Sequence, residues 1–172
     1  MEAMTQNAKG TSPLRDFVSK LNRPLKIFIV EDSDLYRELL KRFIQTIDRS
    51  FIFEENKNYI ISQHKSGEDC VKNLHQNPDI VVLDYFLNGH SNDPSSMDGM
   101  ESLKQIKFLS PRTHVIVITS QGNMTVASEF MKNGASDYIS KEPGVREKLQ
   151  HSVARIMHQI RDNESNIDEK VN

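Results

Sequence analysis

Cysteine is nearly absent from the 172 residues: the single Cys70 cannot form an internal disulfide bond. No apolar run is long enough for a signal peptide or a membrane span, so we expect a cytoplasmic protein without a membrane partner. Basic residues are not in excess, because 22 Lys and Arg stand against 24 Asp and Glu, a formal net charge of -2. Without a basic field to attract a polyanion, no nucleic acid partner is expected.

The apolar residues cluster in five short runs that alternate with amphipathic segments. We predict strands at 25–30, 59–64, 80–84, 114–120 and 137–140, and helices at 35–47, 68–75, 98–109, 123–132 and 144–161. Because each strand is followed by a helix, right-handed crossovers would give a parallel sheet with helices on both faces. The pattern predicts an N-terminal arm over 1–24, one α/β domain over 25–161 and a disordered, polar tail over 162–172.

Three finer expectations concern segments outside the central runs. Leu35, Leu39, Phe43 and Ile47 fall on one helical stripe, which we expect to face the sheet. The strand at 59–64 is the least apolar of the five and is expected near a sheet edge. Within the arm, Ser12 to Leu21 carries helix-start signals, and both a docked short helix and a mobile arm remain open.

Charged and hydroxyl residues stand at the carboxyl ends of four predicted strands: Glu31 and Asp32, Asp84, Thr119, and Lys141. In a parallel sheet these ends share one rim, where open α/β sheets place their chemistry. Three crowded carboxylates repel one another unless a cation lies between them, and a small set of oxygen ligands suits Mg²⁺. Lysine and threonine beside them would hold phosphoryl oxygens, so this rim suits phosphoryl transfer at Asp84.

This order of residues resembles the receiver domain of two-component response regulators. The resemblance covers about residues 25–160, and two further stretches match it: Gly134 to Tyr138 before the lysine, and Met97 to Glu101 at the third helix. It implies a flavodoxin-like, doubly wound fold of five strands and five helices, with the parallel strands in the order 2-1-3-4-5.

The resemblance also implies that Asp84 is the phosphoacceptor, supplied by a phosphohistidine on a sensor histidine kinase or a histidine phosphotransfer protein. Mg²⁺ would be the cofactor. Its ligands would be Asp84, Asp32, Glu31 partly through water, and the backbone carbonyl of Phe86.

The remaining implied roles concern the response to phosphorylation. Lys141 would pair with a phosphoryl oxygen, Thr119 would turn its hydroxyl onto the phosphoryl group, and Tyr138 would then move inward. The surface near Tyr138 would change with it, which leaves open a homodimer that forms on activation. The output would be docking to an unidentified downstream protein, or relay of the phosphoryl group to a histidine phosphotransfer protein.

The sequence departs from the receiver pattern at two places. The chain between Phe86 and Met97 is longer than the usual turn, and Glu142 stands between Lys141 and Pro143, where the family has a lysine followed directly by proline. Phe86 and Gln121 occupy positions that influence loss of the phosphoryl group in the family. A bulky Phe86 would hinder the attacking water, which predicts a long-lived phosphoryl state.

We therefore expect a stand-alone receiver that catalyses only its own phosphorylation and dephosphorylation. One alternative is a receiver-like binding scaffold that is never phosphorylated, favoured by the long loop and by Glu142. Another is a haloacid-dehalogenase-like phosphatase with Asp84 as nucleophile, but that class needs a second acid two residues later, where this chain has Phe86.

Overall fold

The computed structural model describes residues 23–51, 59–87, 96–120 and 124–171, without the side chains of 48–51 and 164–171. The predicted arm before Arg23, most of the long loop after Phe86, and Gln121 lie outside the described residues. Within them, no helix combines the length and the apolar character needed to cross a bilayer.

Five parallel strands form one sheet in the order β2-β1-β3-β4-β5, which confirms the predicted fold and the edge position of the second strand. The strands are β1 Leu25–Val30, β2 Tyr59–His64, β3 Ile80–Asp84, β4 His114–Thr119 and β5 Asp137–Ser140. The helices are α1 Asp34–Phe51, α2 Gly67–Lys72, α3 Gly99–Leu109, α4 Met124–Lys132 and α5 Val145–Val171, with a 3₁₀ turn at Leu74–Gln76.

Two apolar layers cover the two faces of this sheet. Successive side chains of a strand point to opposite faces, so Ile27 and Ile29 of β1 belong to the layer with α1 and α5, whereas Phe28 and Val30 belong to the opposite layer. The central strand β3 is buried along its whole length. Its last residue, Asp84, therefore stands at the carboxyl end of a core strand and is itself buried.

The predicted inward stripe of α1 is confirmed at Ile47, which is buried, and at Phe43, which packs partly buried against the core, but it is wrong in the first two turns of the helix. The buried side chains are Leu40, Ile44 and Ile47, whereas Leu35 is 83% exposed and Leu39 is 38% exposed. The reason lies in Arg37, which is on the inward face because its Nη1 donates a hydrogen bond to the Glu31 carbonyl at 2.6 Å. A polar contact at the helix start thus sets which apolar stripe faces the sheet.

The last helix is longer than the sequence predicts. α5 continues to Val171, through the segment expected to be a disordered tail. No glycine or proline occurs between 161 and 171 to end the helix. Its first half packs on the sheet through Leu149, Val153 and Ile156, which are fully buried.

Candidate functional site

The strand register brings the predicted site residues to one rim of the sheet. Val30 of β1 pairs with Leu83 of β3, so the next residues along the chain, Glu31 and Asp84, lie side by side at this rim. On the other side, Asp84 pairs with Ile118, one residue before Thr119.

Lys141 reaches the rim from the far edge of the sheet. Thr119 pairs with Ser140, and the backbone N–H of Lys141 donates to the Thr119 carbonyl at 2.6 Å. Two strand spacings of about 4.8 Å separate β5 from β3. Only a long side chain can cross that distance to the acids.

Three carboxylates converge at this rim. Oxygens of Glu31, Asp32 and Asp84 all lie within 4.8 Å of one another. Glu31 and Asp84 are 2% and 3% exposed, whereas Asp32 is half-buried. The Ser33 backbone N–H donates to Glu31 Oε1 at 3.2 Å, which orients that carboxylate at the start of α1.

The Lys141 ammonium lies between the two buried acids. Nζ donates a hydrogen bond to Glu31 Oε2 at 2.8 Å and lies 3.0 Å from Asp84 Oδ1. This second contact is an ion pair, and the buried Asp84 Oδ1 has no hydrogen-bond partner among the described residues. One ammonium therefore lies against two carboxylates.

The charges of this cluster shift the pKa of its members. Burial raises the pKa of Glu31, helped by the nearby Asp84 charge and opposed by the hydrogen bond from Lys141. Burial would lower the pKa of Lys141, but the hydrogen bond to Glu31 and the charges of both acids outweigh it and raise that pKa. The two directions agree physically, because each acid has a like charge beside it and the ammonium has two opposite ones.

The raised pKa of Lys141 predicts how stability depends on pH. The unfolded chain releases this proton near the ordinary value of 10.5, before the folded protein does. The stabilisation by the ammonium is therefore complete below pH 10.5 and disappears as pH rises through the folded pKa. Relative to Lys141→Met, we expect the wild type to gain about 2–4 kcal/mol in unfolding free energy at neutral pH, with a smaller difference in alkali. Urea unfolding at a series of pH values in EDTA measures this; a difference independent of pH would contradict it.

The other predicted residues lie close by. Thr119 is fully buried at the end of β4. Tyr138 is half-buried on β5, and its ring centroid lies 6.0 Å from that of Phe130 in α4. Phe86 is 38% exposed, and its ring lies 4.4 Å from the ring of Tyr85. No described peptide bond is cis, including those that follow Lys141.

The residues at the rim fit a divalent cation. Their donors are all carboxylate oxygens, which hard cations such as Mg²⁺ prefer. Three carboxylates and one ammonium leave two negative charges, and within the described part of the chain no donor gives a hydrogen bond to the buried Oδ1 of Asp84. Glu31, Asp32 and Asp84 would hold the ion.

Comparison with known proteins agrees with this arrangement. A sequence model described as the response regulator receiver domain matches residues 27–154, most of the chain. The chain belongs to the response regulator receiver domain family. This receiver domain is 30% identical over 118 residues to the chemotaxis protein CheY of Listeria monocytogenes, which is 68% of this chain and 86% of that protein.

Two further relatives mark the range of the family. A protein-glutamate methylesterase/protein-glutamine glutaminase of Paramagnetospirillum magneticum is 31% identical over 129 residues, 73% of this chain but only 32% of that protein. A solved complex of CheX, CheY, BeF₃ and Mg²⁺ from Borrelia burgdorferi contains a similar structure. Its TM-score is 0.61 at 25% identity, with 78% of this chain and 90% of that chain covered.

Three residues that sequence reasoning did not select also shape the receiver site. Arg37 holds the Glu31 carbonyl, and the neighbouring Tyr36 places its ring under Lys141 Nζ. Gly99 lies against the backbone of Tyr85, just after Asp84. The match of Met97-Asp98-Gly99 to the family pattern is a sequence signal that could have identified Gly99. No such signal identified Tyr36 and Arg37, because helical periodicity alone did not place them on the inward face.

Proposed function

We propose that this receiver domain accepts a phosphoryl group on Asp84 in a Mg²⁺-dependent reaction and passes the signal on through protein-protein contacts. The donor would be a phosphohistidine on a sensor histidine kinase or a histidine phosphotransfer protein. The observation that carries the proposal is the convergence of Glu31, Asp32 and Asp84 within 4.8 Å, with Lys141 Nζ 3.0 Å from Asp84. We assign the function to residues 25–161, which enclose the matched range.

The chemistry follows from the nucleophile and its neighbours. A carboxylate oxygen of Asp84 attacks phosphorus, an O–P bond forms, and the P–N bond of the phosphohistidine breaks. The electron pair stays on the imidazole nitrogen, which takes a proton from solvent. When bound, Mg²⁺ would offset the negative charge of the phosphoryl oxygens and the carboxylates.

Lys141 and Thr119 would act on the phosphoryl group once it is attached. The ammonium already lies at Asp84 and needs only a small movement from the carboxylate to a phosphoryl oxygen. Thr119 follows Ile118, the register partner of Asp84 on the next strand, which supports a role for its hydroxyl as a donor to the phosphoryl group. Its movement would open space next to β5, where Tyr138 packs against Phe130, and would thereby alter the surface formed by α4, β5 and α5.

The direct test is the intact mass of the protein after incubation with acetyl phosphate. We expect a gain of one phosphoryl group with Mg²⁺ and none with EDTA. BeF₃, which mimics the phosphoryl group, should bind only when Mg²⁺ is present. No mass gain together with no BeF₃ response would support the scaffold that is never phosphorylated.

The lifetime of the phosphoryl group is expected to depend on Phe86. Phe86 follows Asp84 by two residues along the chain, and its ring is partly exposed and rests on Tyr85. From the end of β3 this ring would obstruct an approaching water. Phe86→Ala should therefore lose the phosphoryl group several times faster than the wild type, on the scale of a barrier lowered by about 1 kcal/mol. The decay of the phosphorylated mass after donor removal measures the rate. Phe108→Ala, at an 82% exposed side chain on α3, is the matched control and should decay at the wild-type rate.

A further inference from the structure

The ammonium of Lys141 has a third neighbour besides its two carboxylates. Nζ lies 4.3 Å from the centroid of the Tyr36 ring. A cation at this distance over an aromatic face is attracted by the negative charge of the ring face. Since the Lys141 side chain is only 15% exposed, the ring covers a side of the ammonium that water would otherwise occupy.

Helix α1 holds this ring in place from several directions. The backbone N–H of Tyr36 donates to Ser33 Oγ at 3.3 Å, in the first turn of the helix. The next residue, Arg37, is tied to the Glu31 carbonyl. The ring itself packs against the apolar layer between the sheet, α1 and α5. Its position relative to Lys141 is therefore set by the same helix start that orients Glu31.

The ring, rather than the hydroxyl, makes the contact with the site. Tyr36 Oη is buried and has no hydrogen-bond partner among the described residues. Burying a hydroxyl without a partner costs stability. The hydroxyl can therefore be removed without breaking a hydrogen bond seen in the structure, which makes phenylalanine a close match for this position.

We propose that Tyr36 is a positioning residue for phosphoryl transfer. Its ring holds the Lys141 ammonium next to Asp84 while Glu31 binds the cation and Asp84 reacts with the phosphoryl group. This inference rests on the proposed function. Glu31 is one of the residues that would hold the cation, and Asp84 supplies the oxygen that forms the new bond to phosphorus. The uncharged Tyr36 ring takes part in neither cation binding nor bond formation, so it still attracts the Lys141 ammonium during both.

A series of ring substitutions tests this role. Tyr36 is replaced by Phe, by Phe with increasing numbers of fluorine atoms, which weaken the charge of the ring face at nearly constant shape, and by Leu. The rate of phosphorylation by acetyl phosphate is measured at saturating Mg²⁺. We expect Phe to stay within about twofold of wild type, the rate to fall with each added fluorine, and Leu to be about tenfold slower.

The same series in a Lys141→Met background is the control. There the substitutions should leave the remaining rate unchanged, because the cation is gone. The proposal would be overturned if the phosphorylation rate did not change with the number of fluorine atoms. It would also be overturned if the Tyr36 substitutions slowed phosphorylation equally in the Lys141→Met background. Urea unfolding of each variant separates slow chemistry from poor folding.

A measurement without phosphorylation separates this inference from the proposed function. Protons above a ring face give upfield NMR signals, so the ε-methylene of Lys141 should be shifted upfield in wild type and Tyr36→Phe but not in Tyr36→Leu. A wild-type signal at the ordinary position would overturn the contact itself. If the wild type takes up no phosphoryl group at all, the proposed function fails and Tyr36 has no transfer reaction to assist. If the wild type is phosphorylated but all Tyr36 variants react at the same rate, only the proposed role of Tyr36 is wrong.

Discussion

Asp84→Asn is expected to abolish the gain of one phosphoryl group with acetyl phosphate and Mg²⁺. The amide has the shape of the carboxylate but neither its charge nor its nucleophilic oxygen, so the O–P bond cannot form. The fold should survive, because Lys141 keeps its hydrogen bond to Glu31 at 2.8 Å. Removing one of two adjacent buried carboxylates also relieves their mutual repulsion. Intact mass and urea unfolding, measured on the same preparation, check both statements.

Two other acid-to-amide changes serve as controls for this loss. Asp32→Asn leaves the acceptor intact and removes one proposed cation ligand, so the mass gain should require more Mg²⁺ or more time. Asp162→Asn, at an exposed position on α5, removes the same charge far along the chain and should behave like wild type. A full mass gain in Asp84→Asn would show that another residue accepts the phosphoryl group.

Gly99→Ala is expected to destabilise the protein and to disturb the site together. A Cβ at this position would stand 2.7 Å from both the Tyr85 Cα and the Tyr85 carbonyl oxygen, and 2.8 Å from the Asp84 carbonyl oxygen. All three atoms belong to the backbone at the end of β3, so no side chain can turn aside. We expect a loss on the order of 2–3 kcal/mol in unfolding free energy, as for an overpacked core. The displaced strand end should also slow phosphorylation of Asp84.

Gly67→Ala provides the contrast with Gly99. There a Cβ would meet the Ser102 side chain, at 1.9 Å from Oγ and 3.0 Å from Cβ. Ser102→Ala removes the nearer of these atoms and should recover part of the stability lost in Gly67→Ala. The same substitution should not rescue Gly99→Ala. Unfolding in urea is followed by circular dichroism, because the chain has no tryptophan. A Gly99→Ala protein as stable as wild type would show that the end of β3 can move.

The strands could be predicted from the sequence almost residue by residue. β1 and β2 begin and end at the predicted residues, and β3 ends at the predicted acid. A strand buried in a parallel sheet must be apolar along its length, so the local sequence shows where it begins and ends. Because all strand ends of such a sheet share one rim, the convergence of Glu31, Asp84 and Lys141 followed from chain order as well.

Helix rotation and helix length could not be predicted in the same way. α1 offers two apolar stripes about 100° apart, and the hydrogen bond from Arg37 to the Glu31 carbonyl decides between them. α5 runs on through polar residues because nothing in the segment ends a helix, whereas composition alone favoured disorder.

The sequence by itself determined the order of strands and helices, and it determined which chemical groups stand at the strand ends. Those properties depend on neighbouring residues along the chain, through hydrophobic period and turn chemistry. The tertiary structure alone decided that the Tyr36 ring lies under the Lys141 ammonium and that Gly99 touches the backbone beside Asp84. Such contacts join segments far apart in sequence, and their distances are set by how helices pack on the twisted sheet. No local pattern carries that information.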